Sequence, residues 1–345
     1  MFQSITRHLA LILLLAGIIG CSWVRDDLTE CPKGCQVQLK VDAGISAVGS
    51  LNAIHFAEEV HDASLFVFSS DGRFVGLFSE QGDALKQNDF ILDLPLEPGH
   101  YNVVAWTGLA DEKYISSQLT VGKSVMEDLE VLVDRDQENR QNQYLHPLWH
   151  GMIEDIEVKP HIYQLHTASM KKVNNNFVVV LHDFKGNSIK GDTFTFEIHS
   201  ANGRMAYDQS LLQDDIVKYG AYFIETANLS DYESGQDSQG EDYTIARAEM
   251  NTLRLIKGSD TRLVIRERAT GSLVLDIDLI KYILMTREYF EGRVGLKLTD
   301  QQYLDYEDKY SIIFTMMPTG SIINPYALVK LSINGWVLRP QDAIL

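Results

Sequence analysis

Alternation with a period of two governs this chain. In residues 36–42 Val37, Leu39 and Val41 share one face while Gln36, Gln38 and Lys40 share the other, the pattern of a half-buried strand. The same pattern returns in 63–68 and 74–78, which flank Ser70-Asp71-Gly72, where the glycine supplies the positive φ of a hairpin turn. It returns again in 90–94 and 101–106 around a Pro-Leu-Glu-Pro-Gly turn, and in 115–119 and 129–133. The second half continues with 153–158, 177–181, 194–199, 253–256, 262–266, 273–279 and 310–316. Asn202-Gly203 reads as a hairpin turn, and Asn334-Gly335 joins 326–333 to 336–338 with the strongest short hairpin signal in the sequence. Only 211–219 and 281–289 read as short helices, so the chain is all-β and its strands belong in antiparallel sandwiches.

At 345 residues the chain is longer than one core usually organises. Residues 134–142 contain no apolar side chain, which predicts an exposed linker and a division near it. The expected organisation is residues 1–20 as a leader, 21–35 as a tether, 36–145 as a first sandwich and 146–345 as a second. Residues 230–242, rich in Asp, Ser, Gly and Gln, read as a solvated loop. A hydrophobic fraction of 45% is ordinary for packed domains, and a net charge of −18 repels phosphate and excludes nucleic acid as a partner.

The leader is specific. Arg7 precedes an apolar run from Leu9 to Ile19, and Ile18-Ile19-Gly20-Cys21 has the form of a bacterial lipobox. The run is about half the roughly 20 residues that a membrane helix needs. Cleavage before Cys21 and acylation of its thiol would leave a chain held to a bilayer by several acyl chains, each buried methylene contributing about 0.8 kcal/mol. Ser22, rather than aspartate, follows the cysteine, which favours the outer membrane, and Arg25-Asp26-Asp27 resembles a short acidic surface-export signal. The other two cysteines stand in Cys31-Pro32-Lys33-Gly34-Cys35, where Pro and Gly could bring the thiols within disulfide reach or leave two unpaired thiols in a tether. A metal site there lacks two further ligands.

Fragments that suggest chemistry do not add up to a site. Gly122-Lys123-Ser124 is the tail of a phosphate loop without the glycine five residues earlier. His146 and His150 are four apart, but Pro147 disfavours the helix that would align them. Asp276 and Asp278 share a strand face, as the carboxylates of any solvated sheet do. Trp106, Trp149 and Trp336 sit within strands and read as core rather than as a sugar-stacking platform. No catalytic residues, no metal and no cofactor are expected.

The chain resembles the FimB-type fimbrillin-A-associated anchor proteins, the lipidated subunits of type V pili. The resemblance lies in the lipobox with Asp26-Asp27-Leu28 and Cys31-Pro32, in Leu94 to Trp106, in Leu148-Trp149-His150-Gly151, and in Ile333-Asn334-Gly335-Trp336-Val337-Leu338-Arg339. It implies two transthyretin-like β-sandwich domains and a role in attaching a fimbrial shaft to the outer membrane, with shaft or accessory pilins as partners. Cys35 is a departure from that family pattern. The resemblance also implies assembly by strand addition, in which an open sheet edge accepts an extended partner segment. An anchor whose N-terminus carries lipid should keep its first strand, near 36–42, and join its neighbour through the hairpin at Asn334-Gly335 or the tail from Arg339 to Leu345. The alternative is a surface glycan-binding lipoprotein of a polysaccharide-uptake system, which would expose a row of aromatic side chains.

Overall fold

The alternating segments form strands in the part of the chain that the computed structural model describes, residues 34–42, 56–86, 90–229, 243–320 and 326–338, except 253–256, which follows β16 as irregular chain with Leu253 and Leu255 buried. In chain order they are β1 (Cys35–Val41), β2 (Asp62–Ser69), β3 (Phe74–Gln81), β4 (Ile91–Leu94), β5 (Gly99–Thr107), β6 (Tyr114–Ser116) and β7 (Glu130–Val133). There follow β8 (Arg140–Gln141), β9 (Trp149–Val158), β10 (Gln164–Lys172), β11 (Asn175–Asp183), β12 (Phe194–Ser200), β13 (Arg204–Ala206) and β14 (Val217–Gly220). The last are β15 (Phe223–Asn228), β16 (Thr244–Thr252), β17 (Arg262–Glu267), β18 (Leu273–Asp278), β19 (Lys309–Pro318), β20 (Tyr326–Ile333) and β21 (Trp336–Leu338). The all-β expectation holds. Three short helices, α1 (Leu279–Leu284), α2 (Arg287–Val294) and α3 (Asp300–Tyr306), lie between β18 and β19.

The first sheet has the order β3-β2-β5-β9-β10-β1-β4. It turns a corner between β9 and β10, which share only the pairs Lys171 with His150 and Lys172 with Trp149. Beyond the corner Cys35, Val37, Leu39, Leu94, Ala168 and Met170 meet Leu65, Val67, Val103, Ala105 and Trp149 in one core. Alternation does the rest: the opposite face of β2 and β5 sends Phe66, Phe68, Val104 and Trp106 into a second, larger core. That core runs through the small β13-β7-β6 sheet into the C-terminal half. There Phe177, Val179 and Leu181 of the β15-β16-β11-β19-β20-β21 sheet pack with Phe196, Ile198, Leu263 and Ile265 of the β18-β17-β12-β14-β8 sheet.

Several local expectations need correction. Strands β9 and β10, placed by the sequence beyond residue 145, belong to the first sheet, so a division at 145/146 would cut it. The polar stretch 134–142 is not a free linker: Arg140–Gln141 adds to β14, and Arg135 makes a two-pronged ion pair with Asp214. Asn202-Gly203 is not a hairpin turn either, because β13 pairs with β7 and not with β12. Asn202 is instead buried, donating to the carbonyls of Leu253 and Arg254 at 3.0 Å. Residues 211–219 are not helical; their end is β14. The expected helix over 281–289 is split after Leu284, where Thr286 Oγ1 donates back to the Ile283 carbonyl at 2.7 Å. Hairpin β2–β3 turns at Gly72 with φ 80°, as its sequence demands. The loop 230–242 lies outside the described residues.

Candidate functional site

Strand β1 is held on both sides. It runs parallel to β10 through seven register pairs, from Cys35 with Gln164 to Val41 with Met170, and antiparallel to β4 through four. Its inward residues Cys35, Val37 and Leu39 are at most 3% exposed, and each buried aliphatic side chain contributes roughly 1.5–3 kcal/mol. Gly34 sets the entrance. Its φ is 100°, and a Cβ there would stand 1.8 Å from the Leu94 carbonyl oxygen, so only glycine allows the chain to seat at this point.

Cys35 therefore opens the first strand and does not sit in the tether. Burial pushes its thiol up to about 11, which leaves almost no reactive thiolate at neutral pH. Cys21, the expected lipid attachment point, and Cys31, the other half of the candidate disulfide, lie outside the described residues.

The C-terminal hairpin closes the six-stranded sheet. Asn334 (φ 50°) and Gly335 (φ 80°) make the tight turn, and the Asn334 side chain pins it to β19, accepting from Ser311 N at 2.8 Å and donating to the Lys309 carbonyl at 3.1 Å. In β21 Leu338 is buried, while Trp336 and Val337 are 42% and 48% exposed. Trp336 stacks on Tyr289 with centroids 4.7 Å apart. Of the six strands that edge the three larger sheets, β3, β4, β15, β18 and β8 each carry a charged residue, which discourages edge-to-edge pairing. Only β21 carries none.

Between these two places lies a polar seam. Lys172, at the end of β10, is 3% exposed in its side chain and pairs with Glu59 at 3.0 Å and Asp308 at 2.9 Å. Burial alone would lower its pKa, but the two carboxylates outweigh burial and raise it. Trp149 lies beneath the ammonium at 5.8 Å. Nearby, His150 is buried against Trp106, its Nε2 2.7 Å from the Tyr207 carbonyl and its Nδ1 in contact with the Gln209 amide. Burial brings His150 down to about 4, so it is neutral in the folded chain. The sequence carries no signal for either cluster, because the partners of Lys172 and His150 are distant along the chain.

The sequence-suggested chemical fragments disperse. His146 is exposed and His150 is buried. Asp276 pairs with Arg262 at 2.6 Å, and Asp278 caps α1 by accepting from Lys281 N at 2.9 Å. Gly122 donates to the Phe74 carbonyl in an exposed turn. A cavity of about 500 Å³ is lined by Glu59, His61, Asp62, Asp111 and His146. Its carboxylates are occupied: Asp62 accepts from Gly108 N at 2.9 Å, and Asp111 from Lys113 N and His146 N. Among the described residues no three metal-ligating side chains converge. Trp106 and Trp149 are fully buried, which leaves Trp336 alone of the three exposed.

A family model described as fimbrillin-A associated anchor proteins matches residues 28–342. Among solved structures, a candidate adhesin from Bacteroides thetaiotaomicron VPI-5482 is 27% identical, with a TM-score of 0.75, covering 90% of this chain and 99% of its own. A protein of the same organism, described as a candidate polysaccharide-binding protein, is 28% identical, with a TM-score of 0.72 and coverage of 88% and 98%. The fimbrial anchor protein Mfa2 from Porphyromonas gingivalis shares the fold at 19% identity, with a TM-score of 0.65 and coverage of 90% and 99%. No curated protein matches the chain.

Proposed function

Because the chain belongs to the family of fimbrillin-A associated anchor proteins, we propose that it is a lipid-anchored, non-enzymatic subunit that fastens a type V fimbria to the outer membrane at the cell surface. The observation that carries this reading is the seating of β1. A strand paired on both sides and packed into a core suits a subunit that must keep its N-terminal segment, because that segment leads through residues 22–34 back to Cys21.

With the N-terminal strand retained, the link to shaft or accessory pilin falls to another element. The β20–β21 hairpin and the tail that follows it fit best: among the described residues β21 is an uncharged edge strand whose outer backbone groups a partner strand could satisfy, with Trp336 and Val337 at the surface. The glycan-binding alternative needs a row of exposed aromatics, and the burial of Trp106 and Trp149 speaks against it.

The test is Cys21→Ser in the native cell. Fimbriae should pass from the cell surface to the culture medium. Fimbriae that stay attached in normal amount would defeat the proposal.

A further inference from the structure

We propose that β1 is a tension clamp, a strand whose pairing geometry makes pulling along the fimbrial axis load its whole hydrogen-bond ladder at once. The inference rests on the anchor reading, which supplies the two ends of the load: the tether before Gly34 and the C-terminal half of the molecule.

The topology decides how force meets the bonds. Strands β1 and β10 run in the same direction, Cys35 beside Gln164 and Val41 beside Met170. Tension enters β1 at its N-terminal end. It leaves β10 at its C-terminal end, because Lys172 is followed within three residues by β11, a strand inside the C-terminal sandwich. Two parallel neighbours pulled from opposite ends slide past each other, so all seven register pairs resist together. The four pairs with β4 must slip in the same motion. Sliding would also drag Val37 and Leu39 out of their core positions. Had β1 paired with β10 in the antiparallel sense, the loaded ends would be adjacent and the ladder would open one pair at a time.

The seam at the end of β10 reinforces the exit. Lys172 ties that end to Glu59 in the N-terminal half and to Asp308, directly before β19. A second parallel pair, β11 with β19, repeats the arrangement over eight register pairs. Tension that enters β11 at its N-terminal end and leaves β19 at its C-terminal end shears that ladder as well. By contrast, load applied beyond Leu338 meets the three-residue β21 first and then the antiparallel β19–β20 pair, whose loaded ends Ile312 and Ile333 are adjacent. The expected order of failure is the C-terminal hairpin first and β1 last, which keeps the membrane end attached while the distal end yields.

Single-molecule force spectroscopy on the full mature chain, tethered at its N-terminus in place of lipid, tests the clamp. A second, bio-orthogonal handle is placed at exposed Lys185, which shears β1 against β10, or at exposed Ile162, which sits beside the entrance of β1 and peels it. The two handle variants first show matching denaturant midpoints, so any difference is geometric. Release of β1 should need several-fold more force with the Lys185 handle than with the Ile162 handle. Equal forces would overturn the clamp while leaving the Cys21→Ser outcome, and so the anchor reading, untouched.

Discussion

His150 shows how much a single buried side chain can bias this molecule. It is packed between Trp106, Tyr207 and Gln209, with Asp208 as an opposing charge and Arg254 and Lys171 adding positive potential. Its pKa falls from 6.5 to about 4 on folding, so the unfolded chain binds the proton more tightly. The stabilisation is complete above pH 6.5 and is lost as pH falls through 4, about 3 kcal/mol in all. Glu307 has the opposite sign. Burial, assisted by repulsion from Asp308, raises it to about 7, so its contribution is complete below pH 4.5 and is lost as pH rises through 7. The two nearly offset each other between pH 4.5 and 6.5, and variants separate them. Denaturant unfolding of His150→Asn should show a shallower loss of stability from pH 6.5 to 4 than the parent, and Glu307→Gln should gain stability at pH 8. Parallel profiles for parent and His150→Asn would refute the assignment. None of this was legible in the sequence, where His150 stands four residues after His146, across Pro147, as half of a weak metal motif, because its burial comes from Tyr207 and Gln209, distant along the chain.

At the scale of elements, the strands themselves were readable from their apolar runs and the turns between them. Residues 36–42 alternate and became β1, and 74–78 became β3, whereas 63–68 and 101–106 became β2 and β5, whose two faces fill two different cores. The partners were not readable. Period-two patterning says which face is buried but not which strand lies alongside, so the parallel pairing of β1 with β10 across more than a hundred residues has no local signature. Turn chemistry succeeded at Gly72 and Asn334-Gly335, where the positive φ is intrinsic to the turn. It failed at Asn202-Gly203, where the asparagine serves buried carbonyls and the glycine makes room for Val217. Gly34 belongs to the same class of hidden constraint. Replacing it with alanine would drive a Cβ into the Leu94 carbonyl at positive φ, a cost on the order of 3 kcal/mol. Denaturant melts of Gly34→Ala should show that loss, whereas Gly82→Ala, also at positive φ but with open space around the site, should lose less. Equal losses would mean that the entrance to β1 is not constrained by close approach.

On the scale of the whole molecule, the proposed anchor role rests on one continuous body. One continuous apolar core passes from Phe66 and Trp106 in the first sheet to Phe314 and Leu338 in the last, so the two halves are welded rather than hinged. That continuity explains why a division at 145/146, drawn from the polar stretch 134–142, misses the way the chain is organised: polarity marked a surface crossing that still carries β8 and the Arg135–Asp214 pair. It also places the two ends that matter to an anchor, the seat of β1 and the uncharged edge of β21, in different sheets of one body. The most direct measurement is to recover the protein from outer membranes in detergent and identify what accompanies it. The account predicts a detergent-resistant polymer of pilin subunits that is lost when the chain is truncated after Gly335. Recovery of the intact, membrane-bound protein with no pilin attached would contradict it and favour a glycan-binding role.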